Sequence, residues 1–159
     1  MNAPSKLALF VAALAISAPQ AATAKVMPSK QWNGTWKLNL DRSKFSTPSD
    51  KRSETRTYKI NGMKVSMKSQ GTDADGKSLN FSYDAAYDGK WYRFVGSPYA
   101  DRISLRLDSP RHVRSKSTYH GKPAGNATAI LSADGKQLTI TRHTLRPKPT
   151  TDVLAFDKQ

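Results

Sequence analysis

Hydrophobic and polar positions alternate along most of this chain with a period of two. From Gly34, the residues Gly34, Trp36, Leu38 and Leu40 fall on one face and Thr35, Lys37 and Asn39 on the other. Leu79, Phe81, Tyr83, Ala85 and Tyr87 alternate in the same way with Asn80, Ser82, Asp84 and Ala86, and Ile103, Leu105 and Leu107 with Arg102, Ser104 and Arg106. Successive side chains of a strand point to opposite faces, so this period predicts half-buried strands. The runs predicted as strands are 32–40, 54–60, 63–69, 78–87, 90–95, 101–107, 111–120, 124–132, 137–145 and 151–157. No stretch shows the 3.6-residue period of an amphipathic helix.

Turn chemistry separates the runs. Asn61-Gly62 is the dipeptide favoured in a type I′ hairpin turn. Asp-Gly-Lys recurs at 75–77, 88–90 and 134–136, and Gly96-Ser97-Pro98, Ser109-Pro110, Gly121-Lys122-Pro123, Pro147 and Pro149 break the others. Asp41 to Ser53 is polar, contains Pro48 and is too interrupted for a long helix. Short strands joined by tight turns predict an all-β antiparallel up-and-down meander. That many strands expose edges unless the sheet closes, so the expected architecture is a small barrel of about 8–10 strands, apolar inside and polar outside.

Residues 1–24 change the picture of compartment. Lys6 precedes an apolar run, Leu7 to Ala18, and Ala22-Thr23-Ala24 is a small-x-small cleavage site, together the pattern of a secretory signal peptide. The run is shorter than the roughly 20 residues a membrane-spanning helix needs. Cleavage would leave a single domain, 25–159, in the periplasm or secreted. The chain has 26 Lys plus Arg against 12 Asp plus Glu, a formal charge of +14, which favours solubility and anionic partners without choosing a fold. It has no cysteine, so disulfides, thiolate zinc sites, a cysteine nucleophile and a lipid-anchor cysteine are excluded.

Asn33-Gly34-Thr35-Trp36-Lys37-Leu38 resembles the Gly-x-Trp signature of the lipocalin and fatty-acid-binding-protein group, the calycins, and Leu154-Ala155-Phe156-Asp157-Lys158 is similar to the closing strand of the fatty-acid-binding proteins. The resemblance covers the length of the meander. It implies that Gly34 and Trp36 close one end of the barrel and that a cation from a late strand, Arg142 or Lys158, packs near the indole. It implies no fatty-acid site of the familiar kind: the positions matching that site's arginine and tyrosine are Leu154 and Phe156, and 41–53 does not read as a helical lid.

Candidate binding residues follow from parity. Arg142 shares a face with Leu138 and Ile140, and Arg56 with Tyr58 and Ile60, so both arginines are expected inside. An inward guanidinium needs an anion or a hydrogen-bond network. One reading is that Arg56 and Arg142, with Tyr58, Tyr83 or Tyr87, grip a carboxylate or phosphate; the other is that they reach water at strand ends or pair with acids such as Glu54. Trp36, Phe81, Tyr83, Trp91, Tyr92, Phe94 and Phe156 suit either a pocket wall or a filled core. His143 has the parity of the outer face, and the histidines have no metal-binding spacing. No nucleophile elbow or phosphate loop is present, and Asp73 and Asp75 read as turn residues. The expectation is a non-enzymatic carrier of a small hydrophobic or amphipathic, anionic molecule, with no cofactor and no metal. The alternative is an interaction module whose basic outer face, including Arg102, Arg106, Arg111, Arg114 and Lys116, meets a polyanion or an acidic protein. Basic residues alone do not argue for nucleic acid.

Overall fold

The computed structural model describes residues 25–46, 51–145 and 148–159; the expected signal segment, 1–24, lies outside them. After a short 3₁₀ turn, Lys30–Trp32, come ten strands: β1 Gly34–Lys44, β2 Lys51–Asn61, β3 Lys64–Asp73, β4 Ser78–Ala86, β5 Asp88–Arg93, β6 Arg102–Ser109, β7 His112–Tyr119, β8 Lys122–Leu131, β9 Gln137–Thr144 and β10 Thr150–Lys158. They form one antiparallel sheet in the order β4-β3-β2-β1-β10-β9-β8-β7-β6-β5. The first and last strands pair, Trp36 opposite Lys158 and Leu38 opposite Phe156, which curls the meander into a nearly closed barrel, a shape compatible with a calycin-like fold.

The remaining seam lies between β4 and β5, neighbours in sequence; among the described residues it is bridged by Ser82 of β4 and Val95, just beyond β5, through two backbone hydrogen bonds of 2.9 Å. Gly96 lets the chain come in there. Its φ is +77°, and a Cβ would lie 2.2 Å from the Asn80 carbonyl oxygen, so any side chain would push the seam open.

Alternation did place the core: Trp36, Leu38, Tyr58, Val65, Met67, Tyr83, Leu105, Leu138, Ile140, Leu154 and Phe156 are buried. Three local expectations are corrected. Leu40 leaves the interior and is 43% exposed, because the β1–β10 register shifts after Asn39. Trp91 is outside, 45% exposed, because the β5–β6 register shifts between Asp88 and Trp91 and leaves Tyr92 and Phe94 as the inward members. The type I′ turn is not at Asn61-Gly62. Asn61 pairs with Lys64, so the loop is Gly62-Met63, with only Gly62 at positive φ, the arrangement of a type II′ turn. His120 and Gly121, at φ 49° and 74°, instead provide the two left-handed residues of a type I′ loop between Tyr119 and Lys122.

One end of the barrel is floored by indole rings. Trp32, expected as the start of a strand, lies in the 3₁₀ turn; its Nε1 donates to the Pro110 carbonyl at 2.9 Å, and the Nε1 of Trp36 donates to the Trp32 carbonyl at 3.0 Å. Both rings are buried with their one polar atom satisfied, which is what a large amphipathic side chain needs in a core. Lys158, not Arg142, supplies the neighbouring cation: its Nζ sits 5.1 Å from the Trp36 ring centroid and donates to the Gln31 carbonyl at 2.6 Å. Gly34 leaves room for that lysine, since a Cβ there would stand 3.2 Å from Lys158 Cε.

Candidate functional site

A cavity of about 180 Å³ occupies the barrel interior. It extends from Trp32 at the floor to Ser97–Ala100 and Thr144 at the opposite end. Its walls are mostly apolar and aromatic, including Met67, Phe81, Phe94, Leu105, Ile140 and Leu154, and Arg56, Tyr58, Tyr83, Tyr87 and Arg142 add the polar atoms. All four residues expected to bind a ligand therefore face one space.

The arginines do not form a free clamp. Glu54, on the same face of β2 as Arg56, is only 2% exposed. Its Oε1 accepts from Arg56 Nε at 2.6 Å and from Ser69 Oγ, across the ladder on β3, at 2.8 Å. The Arg56 guanidinium is further sandwiched between rings, 5.0 Å from the Phe156 centroid and 5.6 Å from that of Phe81. Burial works against its charge, but the attraction of Glu54 and the adjoining Tyr58 outweighs it and holds Arg56 above its ordinary pKa. Of the two readings of Arg56 from sequence, pairing with Glu54 is the arrangement in place.

The same holds across the barrel for Arg142. Its Nη2 donates to Asp152 Oδ2 at 2.5 Å, while the Ser46 amide donates to Asp152 Oδ1 at 2.9 Å. Burial tends to raise the Asp152 pKa, yet those two donors prevail and keep it below the usual carboxylate range. Arg142 Nε is buried without a hydrogen-bond partner. Among the described residues, Glu54 and Asp152 thus each hold one of the two inward guanidiniums.

Three phenols complete the polar wall. Burial first, then the neighbouring Tyr58 and Tyr87, push Tyr83 well above its ordinary pKa; burial and Tyr58 do the same to Tyr87. Both remain protonated at neutral pH and can donate O–H hydrogen bonds. Edge-to-face contacts fix the rings, Trp32 to Tyr58 at 6.2 Å and Tyr83 to Phe94 at 5.6 Å between centroids. The arrangement can enclose a small molecule with an apolar body, offering donors at one side. Sequence reasoning missed Asp152 and Ser69 as partners and the 97–100 connection as cavity wall. The inward parity of Asp152 with Leu154 and Phe156 was a usable signal for the first; a loop packed over a barrel end carries none.

Outside, Arg102, Arg106, Arg114 and Lys116 share the face formed by β6 and β7, with Arg106 directly opposite Arg114. Arg114 is held by Asp108 in a two-pronged contact of 2.5 and 2.7 Å, whereas Arg111 lies apart and donates to Gln31 Oε1 at 3.3 Å. His143 is on the outer face, beside the Thr151 hydroxyl at 2.9 Å. Among the described residues no three His, Cys, Asp or Glu side chains converge as metal ligands, and no helix is long and apolar enough to cross a membrane. Comparison of the sequence with protein-family models and with characterised proteins finds no match to either.

Proposed function

We propose that this protein is an exported, lipocalin-like, non-enzymatic binder of one compact molecule: an apolar body of about a single ring, with one anionic or hydrogen-bond-accepting end held by Arg56, Tyr58 and Tyr83. The supporting observation is the cavity itself. At about 180 Å³ it slightly exceeds the roughly 150 Å³ cavity that accommodates benzene in a protein core, and it is below the roughly 300 Å³ at which pockets for drug-sized ligands begin. A long acyl chain does not fit without rearrangement. Because Glu54 already neutralises Arg56, an anionic ligand shares that guanidinium, and affinity comes mainly from apolar burial.

Benzoate and palmitate discriminate the proposal. Thermal melts with each should show benzoate raising Tm and palmitate leaving it unchanged, and Tyr83→Phe should weaken benzoate about tenfold, the loss of one hydrogen bond to a charged group. Stabilisation by palmitate in preference to benzoate would overturn the size argument. No response to either, or to a wider set of single-ring compounds, would remove the binder reading.

A further inference from the structure

The outer face of β5–β7 joins charge to exposed apolar surface in a way the interior binding site does not use. Along β5 and just beyond it, Trp91, Arg93 and Val95 lie outside while Tyr92 and Phe94 turn in. Arg93 stands opposite Arg102, and Trp91 opposite Ser104, whose other neighbour is Lys116. Like charges facing each other across a ladder are destabilising. Asp108 offsets that repulsion for Arg114, but Arg93, Arg102 and Lys116 make no ion pair among the described residues. On β5 and in the connection that follows it, Trp91, Val95 and Tyr99 are 45%, 46% and 53% exposed.

A soluble polyanion would satisfy the cations but offers nothing to Val95 or Tyr99. An anionic bilayer satisfies both. Phosphate headgroups attract cations near the surface, and the headgroup boundary is where tryptophan and tyrosine place an apolar body with a polar tip. We propose that this face docks the protein on an anionic lipid bilayer, with Arg93, Arg102 and Lys116 against headgroup phosphates and Trp91, Val95 and Tyr99 entering the interfacial layer. The 94–101 connection that carries Val95 also contributes Phe94, Ser97, Pro98, Tyr99 and Ala100 to the cavity wall, so the docked face adjoins the cavity and Tyr99 stands at the border of the two. The inference does not depend on what the cavity holds.

The chain reports on its own docking. Of its three tryptophans, Trp32 and Trp36 are buried at 2% and 0% exposure, so a change in emission on adding vesicles comes from Trp91. Vesicles of phosphatidylcholine mixed with phosphatidylglycerol should co-sediment the protein and shift its emission to the blue; vesicles of phosphatidylcholine alone should do neither. Arg102→Ser and Lys116→Ser should each weaken partitioning about fivefold, and Trp91→Ser should abolish the shift and weaken partitioning, with circular dichroism confirming each variant's fold. Failure to sediment with the anionic vesicles would overturn the proposal. So would sedimentation with no emission shift and no effect of Trp91→Ser, which would mark a charge-only contact.

Discussion

The barrel uses a cation and aromatic rings twice, at its floor and in its cavity wall, with different consequences. At the floor, Lys158 lies over Trp36 and donates to a backbone carbonyl; the lysine plugs the barrel end and is not among the residues that line the cavity. In the wall, Arg56 lies between Phe81 and Phe156 and is held by a carboxylate, beside a cavity. A carbonyl is a neutral acceptor that is always present, whereas a carboxylate is a charge that a ligand can compete with. The same pairing chemistry therefore gives a fixed end in one place and, on the proposed reading, an adjustable site in the other.

Four substitutions break or sharpen this contrast, in descending order of effect. Trp36→Ala removes one of the two indole rings of the floor and should cost about 3–5 kcal/mol in urea unfolding, as emptied aromatic core sites do; a loss below about 1 kcal/mol would show that the floor does not hold the barrel together. Glu54→Gln strips the buried partner from Arg56 and should cost about 3 kcal/mol. Unlike Trp36→Ala, it should also bind benzoate more tightly than the parent and recover stability on adding it, because the guanidinium is released. Lys158→Met exchanges the floor cation for an apolar chain of similar length and should cost about 1–2 kcal/mol, with benzoate affinity unchanged. An altered affinity would mean that floor and wall are one site.

The fourth works through pH. Asp152 has a folded-state pKa below its unfolded value, so its contribution is fully present above the unfolded value, near about 3.9, and is lost as pH falls through the folded one. From about pH 5 downward, wild-type stability in urea should therefore fall more steeply than that of Asp152→Asn. Parallel profiles would mean that the Arg142–Asp152 pair contributes nothing in the native state.

The barrel was legible because it follows from parity. Each buried residue on β4, β6 and β9 sat on the face that alternation assigned it, and the paired ends follow from a meander that must hide its edges. What alternation could not supply was register within a strand. The shifts after Asn39 and after Asp88 turned Leu40 and Trp91 outward, and a one-residue slip reverses every side chain beyond it. Hairpin type was misread for a related reason. Asn61-Gly62 has favourable turn chemistry, but the ladder extends through Asn61, and His120 adopts the left-handed conformation a non-glycine residue seldom takes. In the site, parity brought Arg56, Tyr58, Tyr83 and Arg142 to one space. Pairing of Arg56 with Glu54 was one of two readings open from sequence; which of them holds depends on rotamers and cross-strand distances, which a one-dimensional pattern does not carry.

The central claim is that the barrel interior holds a space fitted to one small ring. Native mass spectrometry of the protein purified from its own cells tests this most directly, beside an Ala127→Phe variant that fills the cavity wall. The account predicts a one-to-one adduct about the size of a substituted benzene on the wild type, absent from the variant. A bare wild-type mass that no single-ring compound shifts, or an adduct that survives Ala127→Phe in a folded protein, would contradict it.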